Sequence, residues 1–377
     1  MNDMTTEKQN KRPNVPPLRF PEFSEPWEQK NIGTILTIGN GKDYRKLGHG
    51  DIPVFGTGGY IASVNDCLMD GESVFIGRKG TINKPFYYKG KFWTVDTLFF
   101  THTFNGVIPK FVLYLFENIN WLNYNEASGV PSLSKSSIEK IRVNLPHIDE
   151  QSKIVDFLGL LDRHISVQNK IIERLQSLMD GIILNIIRAD DCSKVLLSDI
   201  LTERKETNSA LYKVCSVSVL RGVVDQVQFL GRSFAAKDTS NYNVVHYGDI
   251  VYTKSPTGNF PYGIIKRSQQ DNPVAVSPLY GVYEPYSNDI GCYLHYYFSN
   301  AVTTKNYLHK LIQKGAKNTI NISNQRFLEN YIRLPKADKL KKLTFLLNQL
   351  SVKKNQEEKI LVHLSQQKRF LLSKMFI

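Results

Sequence analysis

Glu150 to Ala189 reads EQSKIVDFLGLLDRHISVQNKIIERLQSLMDGIILNIIRA. Within it Ile154, Leu158, Leu161, Ile165, Gln168, Ile172, Leu175, Met179, Ile182 and Ile186 follow one another at alternating steps of four and three residues. That spacing is an a/d heptad seam with one polar member, and its period of 3.5 predicts a helix that supercoils left-handedly with another. Adding 189 to each number lands on Leu343, Leu347, Leu350, Lys354, Glu357, Leu361, Leu364, Lys368, Leu371 and Met375. The same seam therefore recurs near the C-terminal end with three polar interruptions. Each helix has about 40 residues and a length of ~60 Å.

The composition changes at the borders of these helices. Residues 150–189 and 337–377 contain no proline, and of the 20 Phe, 19 Tyr and 3 Trp they hold just Phe157, Phe345, Phe370 and Phe376. Residues 27–149 and 190–336 are rich in Gly, Pro, Tyr and Phe, with short β-like runs such as Ser73–Ile76, Thr97–Thr101 and Asp249–Thr253 between turn residues. The repeat extends into these regions. Leu145-Pro146 and Asp149 recur as Leu334-Pro335 and Asp338, Asn31–Ile35 parallels Leu196–Ile200, and Gly71–Ile76 parallels Gly248–Thr253. The expected organisation is an N-terminal arm (1–26), a mixed α/β (α+β) domain (27–149), a long helix (150–189), a second copy of the domain (190–336) and a second long helix (337–377). Two apolar seams in one chain most simply pack against each other, and the second helix must turn back to do so. The expected pair is an antiparallel coiled coil, and the internal duplication is pseudo-two-fold. Gln168 would then face Lys354 or Glu357, or these groups would reach out to solvent.

Forty-eight Lys and Arg against 35 Asp and Glu give a formal charge of +13, which suggests nucleic acid or an anionic membrane as a partner. No apolar run is long enough to span a bilayer, and the polar start has no apolar signal core, so a cytoplasmic location without membrane contact is expected. Cys67, Cys192, Cys215 and Cys292 lie far apart, as suits free thiols. The excess charge is uneven: +2 over 1–149, zero over 150–189, +4 over 190–335 and +7 over 336–377. The basic last helix either touches phosphates or is a solvated or partner-facing surface.

Two similar readers held apart in inverted orientation suit a bipartite site on duplex DNA, because protein and duplex dyads then coincide. The candidate contact residues lie in Gly- and Lys-rich loops beside the β-like runs. They are Lys42, Tyr44, Arg45 and Lys46; Arg78, Lys79, Thr81, Asn83 and Lys84; and Ser132, Ser134 and Lys135. In the second half they are Lys254, Ser255, Thr257 and Asn259, then Lys317, Asn318 and Asn321. Glycine lets a backbone approach a groove, Arg binds guanine O6/N7 with two hydrogen bonds, and Lys suits phosphate. Such loops are also common as plain exposed turns, and recurrence in both halves is what singles these out.

A catalytic pattern is missing. Phe55-Gly-Thr-Gly-Gly59 has Thr57 where a methyl-donor turn needs glycine, and Ser277-Pro-Leu-Tyr280 has Leu279 where an adenine-methylating motif needs proline. There is no phosphate loop, HExxH pair or clustered Cys site, so no catalytic residue, metal ligand or cofactor is assigned. Three readings follow: a DNA-reading subunit that aims another chain's catalyst, a divergent self-sufficient DNA methylase or nuclease, and a stand-alone bivalent DNA-binding or scaffold protein.

Several stretches carry a resemblance. Leu18-Arg-Phe-Pro-Glu-Phe23 with Trp27-Glu28, Val74–Thr81, Phe92–Leu98, Gly129–Ser134 and above all Leu145-Pro-His-Ile-Asp-Glu-Gln-Ser-Lys-Ile-Val155 resemble the specificity (S) subunit of type I restriction–modification systems. The likeness covers nearly the whole chain. The second copy departs at Leu334-Pro-Lys-Ala-Asp-Lys-Leu340, which lacks the Glu-Gln pair. The resemblance implies two target-recognition domains separated by spacer helices. It also implies two DNA adenine methyltransferase (modification) subunits, which use S-adenosylmethionine and flip the target base. Up to two translocase–nuclease (restriction) subunits using ATP and Mg2+ would join them. The chain itself would be a non-catalytic subunit that reads both half-sites in double-stranded DNA.

Overall fold

The computed structural model describes residues 14–233, 235–314 and 320–377, leaving the side chains of 313–314 and 320–321 undescribed. Two helices dominate the element order, Ile148–Arg188 and Ala337–Met375. Pro146 confines Leu145 to extended backbone, so the strand Arg142–Leu145 stops there and the helix begins two residues on. Asp149 and Glu150 in its first turn and Arg188 in its last complement the helix dipole, as do Asp338 and Lys374 in the second helix. None of the twenty seam positions is exposed, although the polar Gln168 and Glu357 are among them. The chain divides into two compact units, one ending at Asn169 and completed by Lys359–Ile377, the other Lys170–Glu358. Each unit thus takes part of both helices.

In the first unit, six strands form one sheet in the order Thr37–Asn40, Leu98–His102, Met69–Gly77, Phe86–Thr94, Ile52–Gly56 and Gly59–Val64. Pairing is antiparallel except where Val54 and Phe55 run parallel to Trp93 and Thr94. A separate ladder joins Glu28–Asn31 to Arg142–Leu145, the strand that leads into the long helix. The core gathers Trp27, Ile32, Phe111, Tyr114, Phe116, Trp121 and Ile138 around the helix Pro109–Asn118. Ile154 and Leu158 from the start of one long helix join it, with Leu372, Met375 and Phe376 from the end of the other. The Phe376 ring meets Trp27 at 6.0 Å and Phe111 at 5.2 Å, so Met375 and Phe376 are core residues while Ile377 is exposed.

Two polar clusters pin the long helices in this unit. Glu150, 1% exposed, takes two hydrogen bonds of 2.7 Å from Arg19. Gln151, fully buried, accepts from the Ile108 backbone N–H at 3.0 Å and donates to the carbonyls of Gly106 and Pro146. The Glu-Gln pair is therefore a clamp that ties the N-terminal segment and the 106–108 loop to the helix start. Further along, the seam residue Lys368 bonds Glu117 at 2.7 Å and Asp162 at 2.8 Å, and Tyr114 donates to Asp162. Burial pushes the Glu117 carboxyl up further than Lys368 pulls it down. Burial likewise opposes the Lys368 ammonium, yet the hydrogen bonds to Asp162 and Glu117 hold it above its usual value.

The second unit carries an antiparallel sheet in the order Leu201–Glu203, Gly281–Pro285, Ile250–Thr253 and Ile264–Arg267. Cys192–Leu196 pairs with Tyr331–Pro335, which leads into the second long helix. Its main core stacks Phe327 on Tyr252 and Tyr283, adds Tyr293, Leu294, Phe298 and Tyr307, and closes over Met179 and Ile183 with Leu340, Leu343 and Leu347. A smaller valine cluster, Val245, Val251, Val274, Val276 and Val282, lies with Cys215 and Val223. The seam residue Lys354 donates to Gln176 at 2.9 Å and stands 3.5 Å from Glu358.

His295 on the helix Asn288–Ser299 is half-buried with its Nδ1 enclosed, and lost hydration, with Lys266 and Arg267 nearby, pulls its imidazole down to about 3. Its ring stays neutral in the fold while the unfolded chain takes up a proton below its ordinary value near 6.5. The sign follows: this contribution is present at neutral pH and is lost as pH falls from about 6.5 towards 3. The unfolding midpoint of wild type should drop over that window more steeply than that of His295→Gln, the slopes differing by up to about one proton. Parallel slopes in urea unfolding at several pH values would refute the neutral assignment.

Candidate nucleic-acid interface

The three loops singled out in the first unit are joined through their backbones. Lys42 N–H donates to the Thr94 carbonyl at 2.8 Å, and the Trp93 indole donates to the Lys42 carbonyl. Arg78 N–H donates to Thr97 at 2.8 Å. Gly80 N–H reaches Pro131, and Leu133 N–H reaches Arg78, with Lys79 opposite Ser132 in a β-bridge. The turn 94–97 thus links the 41–46 loop to the 77–84 loop, which is laced to 131–133. Two glycines are required for this approach. A Cβ on Gly41 would stand 1.9 Å from the Val95 carbonyl oxygen, and one on Gly77 would stand 2.2 Å from that of Thr81.

The side chains then divide by what they touch. Lys42, Lys46, Arg78, Lys79, Asn83 and Lys84 are exposed. Among the described residues none of these cations makes an ion pair, and Arg78 Nη1 has a carbonyl, that of Asp96, at 3.4 Å. This is a cationic surface with uncompensated charge. Arg45 instead donates to Asp43 through Nε and Nη2, and those bonds hold the Asp43 carboxyl down at about 2. Tyr44 packs against the small cluster of Val54, Val64 and Trp93. Ser134 caps the short helix Lys135–Glu139 by accepting from Ser137 N–H and donates to Glu126, while Lys135 faces Glu139. Thr81 and Ser132 are half-buried.

In the second unit Ser255, Thr257 and Asn259 are exposed on a turn closed by reciprocal backbone bonds between Thr257 and Phe260. Lys254 is half-buried, and burial lowers its ammonium against the pull of Glu203. Lys317 and Asn318 lie outside the described residues, and the Asn321 side chain is likewise undescribed. Sequence reasoning missed the hairpin Cys215–Ser218 to Gly222–Asp225. Its tip presents Leu220, 94% exposed, and Arg221, whose guanidinium lies 5.9 Å from the Phe229 ring centroid. The Leu220-Arg221-Gly222 turn was its available signal. Among the described residues no three His, Cys, Asp or Glu side chains are grouped to hold a metal ion, and no helix is long and apolar enough to cross a membrane.

Comparison with known proteins agrees with this arrangement of long helices and α/β units. Residues 24–177 match the type I restriction modification DNA specificity domain. Over less than half of its length the chain is thus similar to the DNA specificity domain of type I restriction–modification systems. The type I restriction enzyme EcoprrI specificity subunit of Escherichia coli is 24% identical over 164 residues, 41% of this chain. That alignment spans 40% of the curated relative's own length. The crystal structure of a type I restriction–modification S subunit from M. genitalium is similar in fold, with a TM-score of 0.62 at 14% identity over 96% of this chain and 99% of that one.

Proposed function

We propose that the chain is the sequence-reading, non-catalytic subunit of a type I restriction–modification assembly, binding a bipartite target in double-stranded DNA. The observation that carries this reading is the cationic, glycine-shaped loop cluster of the first unit, which lies inside the matched specificity domain. Internal duplication supports a second reader. The four-stranded order of the second unit repeats the order Thr37–Asn40, Leu98–His102, Met69–Gly77, Phe86–Thr94 of the first. In both, a ladder strand leads into a long helix. The two helices act as coiled-coil spacers whose length sets the gap between half-sites.

Partner methyltransferase subunits, bringing S-adenosylmethionine, would seat on the apolar residues that the seam leaves outward. These include Leu160, Val167 and Leu178 on the first helix and Phe345, Val352 and Val362 on the second, all exposed. Translocase–nuclease subunits using ATP and Mg2+ would join for restriction. Methylome sequencing of cells with and without the gene tests the reading. A bipartite motif that vanishes with the gene supports it, and an unchanged methylome, or labelled methyl transfer by the purified chain alone, refutes it. Within that experiment Arg78→Ala should cost about 1–3 kcal/mol of discrimination at one half-site if its guanidinium meets a guanine. Unchanged selectivity there would remove Arg78 from the reading set.

A further inference from the structure

The unit Lys170–Glu358 contains a cleft of about 890 Å3 far in sequence from most of the loops discussed above. It is walled by residues 172–183 of the first long helix, 351–358 of the second, the strand Ile264–Arg267 and the helix Asn288–Ser299. Lys266 lies in its lining and is 6% exposed. Its ammonium has the Ser299 hydroxyl at 3.5 Å, and it takes part in no ion pair among the described residues. His295, one turn before Ser299, also lines the cleft, and its buried Nδ1 has no hydrogen-bond partner. Lys354 enters from the opposite wall.

The carboxylates that face this cleft do not neutralise the buried amine. Asp180 accepts from Gln176 at 3.3 Å, Glu358 faces Lys354, and Glu173 makes no ion pair with Lys266. Arg221 and Arg267 add further positive charge to the lining. Burial, with Lys354 second, pulls the Lys266 ammonium down to about 8. A buried cation without an anion is costly, and an anion seated beside it removes that cost.

We propose that this cleft binds a small phosphorylated molecule, with Lys266 and Lys354 receiving the phosphoryl oxygens and His295 beside them. The volume exceeds what a bare phosphate fills and falls in the range of small-molecule sites. Ile172, Met179, Val223 and Tyr296 supply apolar wall for the rest of the ligand.

The test is calorimetric titration of the full chain with inorganic phosphate, ribose 5-phosphate and adenosine 5′-monophosphate, beside thermal unfolding with each. Saturable binding that raises the Tm of wild type is expected, with the organic phosphates tighter than inorganic phosphate. At pH near 8 binding should draw a proton onto the protein, seen as a buffer-dependent heat. Lys266→Met should lose at least tenfold in affinity for all three probes and show a flat Tm. Because it removes an unpaired buried charge, its Tm without ligand should equal or exceed that of wild type. Lys354→Met, at a partly exposed position, should weaken binding while leaving the Tm without ligand near wild type. No saturable binding by wild type, or wild-type affinity in both variants, overturns the proposal. Displacement of the bound monophosphate by an unrelated DNA duplex would overturn the small-molecule assignment, because the cleft would then be taking a backbone phosphate.

Discussion

Arg19→Ala is expected to lower the unfolding free energy of its unit by about 3–5 kcal/mol, the usual cost of stranding one member of a buried ion pair. Arg19 and Glu150 are both nearly inaccessible to water, and the guanidinium fork satisfies both carboxylate oxygens. Removal of Arg19 strands the Glu150 carboxyl group beneath the N-terminal segment with no partner of equal strength. The double variant Arg19→Met with Glu150→Met, which removes both charges, should recover much of the loss, since an ion pair replaced whole by apolar groups is often neutral. Urea unfolding followed by tryptophan fluorescence reads this well, because Trp27 and Trp121 sit in the same core. A single variant within about 0.5 kcal/mol of wild type, the ordinary range for a surface change, would show that the clamp does not hold the segment.

The second large effect concerns the spacers. Deleting residues 165–171 together with 354–360 removes one heptad from each seam and keeps the apolar residues in phase. Each helix shortens by about 10 Å, close to three base pairs of duplex. If the helices measure the gap, the original bipartite motif should disappear from the methylome. It should be replaced by one with a shorter gap or by no methylation at all, since three base pairs also turn the half-sites by about a quarter to a third of a turn. Retention of the original motif with its gap unchanged would end the ruler interpretation.

The long helices were legible from residues alone, because burial in a paired helix imposes a period that twenty positions repeat. The short strands were visible as apolar runs between turn residues, but their order was not. Thr37–Asn40 and Leu98–His102 are neighbours though nearly sixty residues separate them. The candidate interface was legible in part. Glycine and lysine content marked the loops around Arg78 and Lys42, which the fold joins through their backbones. It could not tell which polar groups are spent locally, and so gave Ser134, which caps a helix, and Arg45, which is paired with Asp43, the same weight as Arg78.

Periodicity, repetition and charge are local properties that each residue carries wherever the chain goes. By themselves they determined two long helices with a repeated seam and a basic protein without a recognisable catalytic motif. Which residues share a unit was decided by tertiary packing. Phe376 reaches the core of Trp27, Lys368 reaches Glu117 and Asp162, and Lys266 is left buried without an anion. Such pairings join residues up to hundreds of positions apart. They depend on the direction in which each element is laid down, and that direction is set by burying all the apolar faces at once.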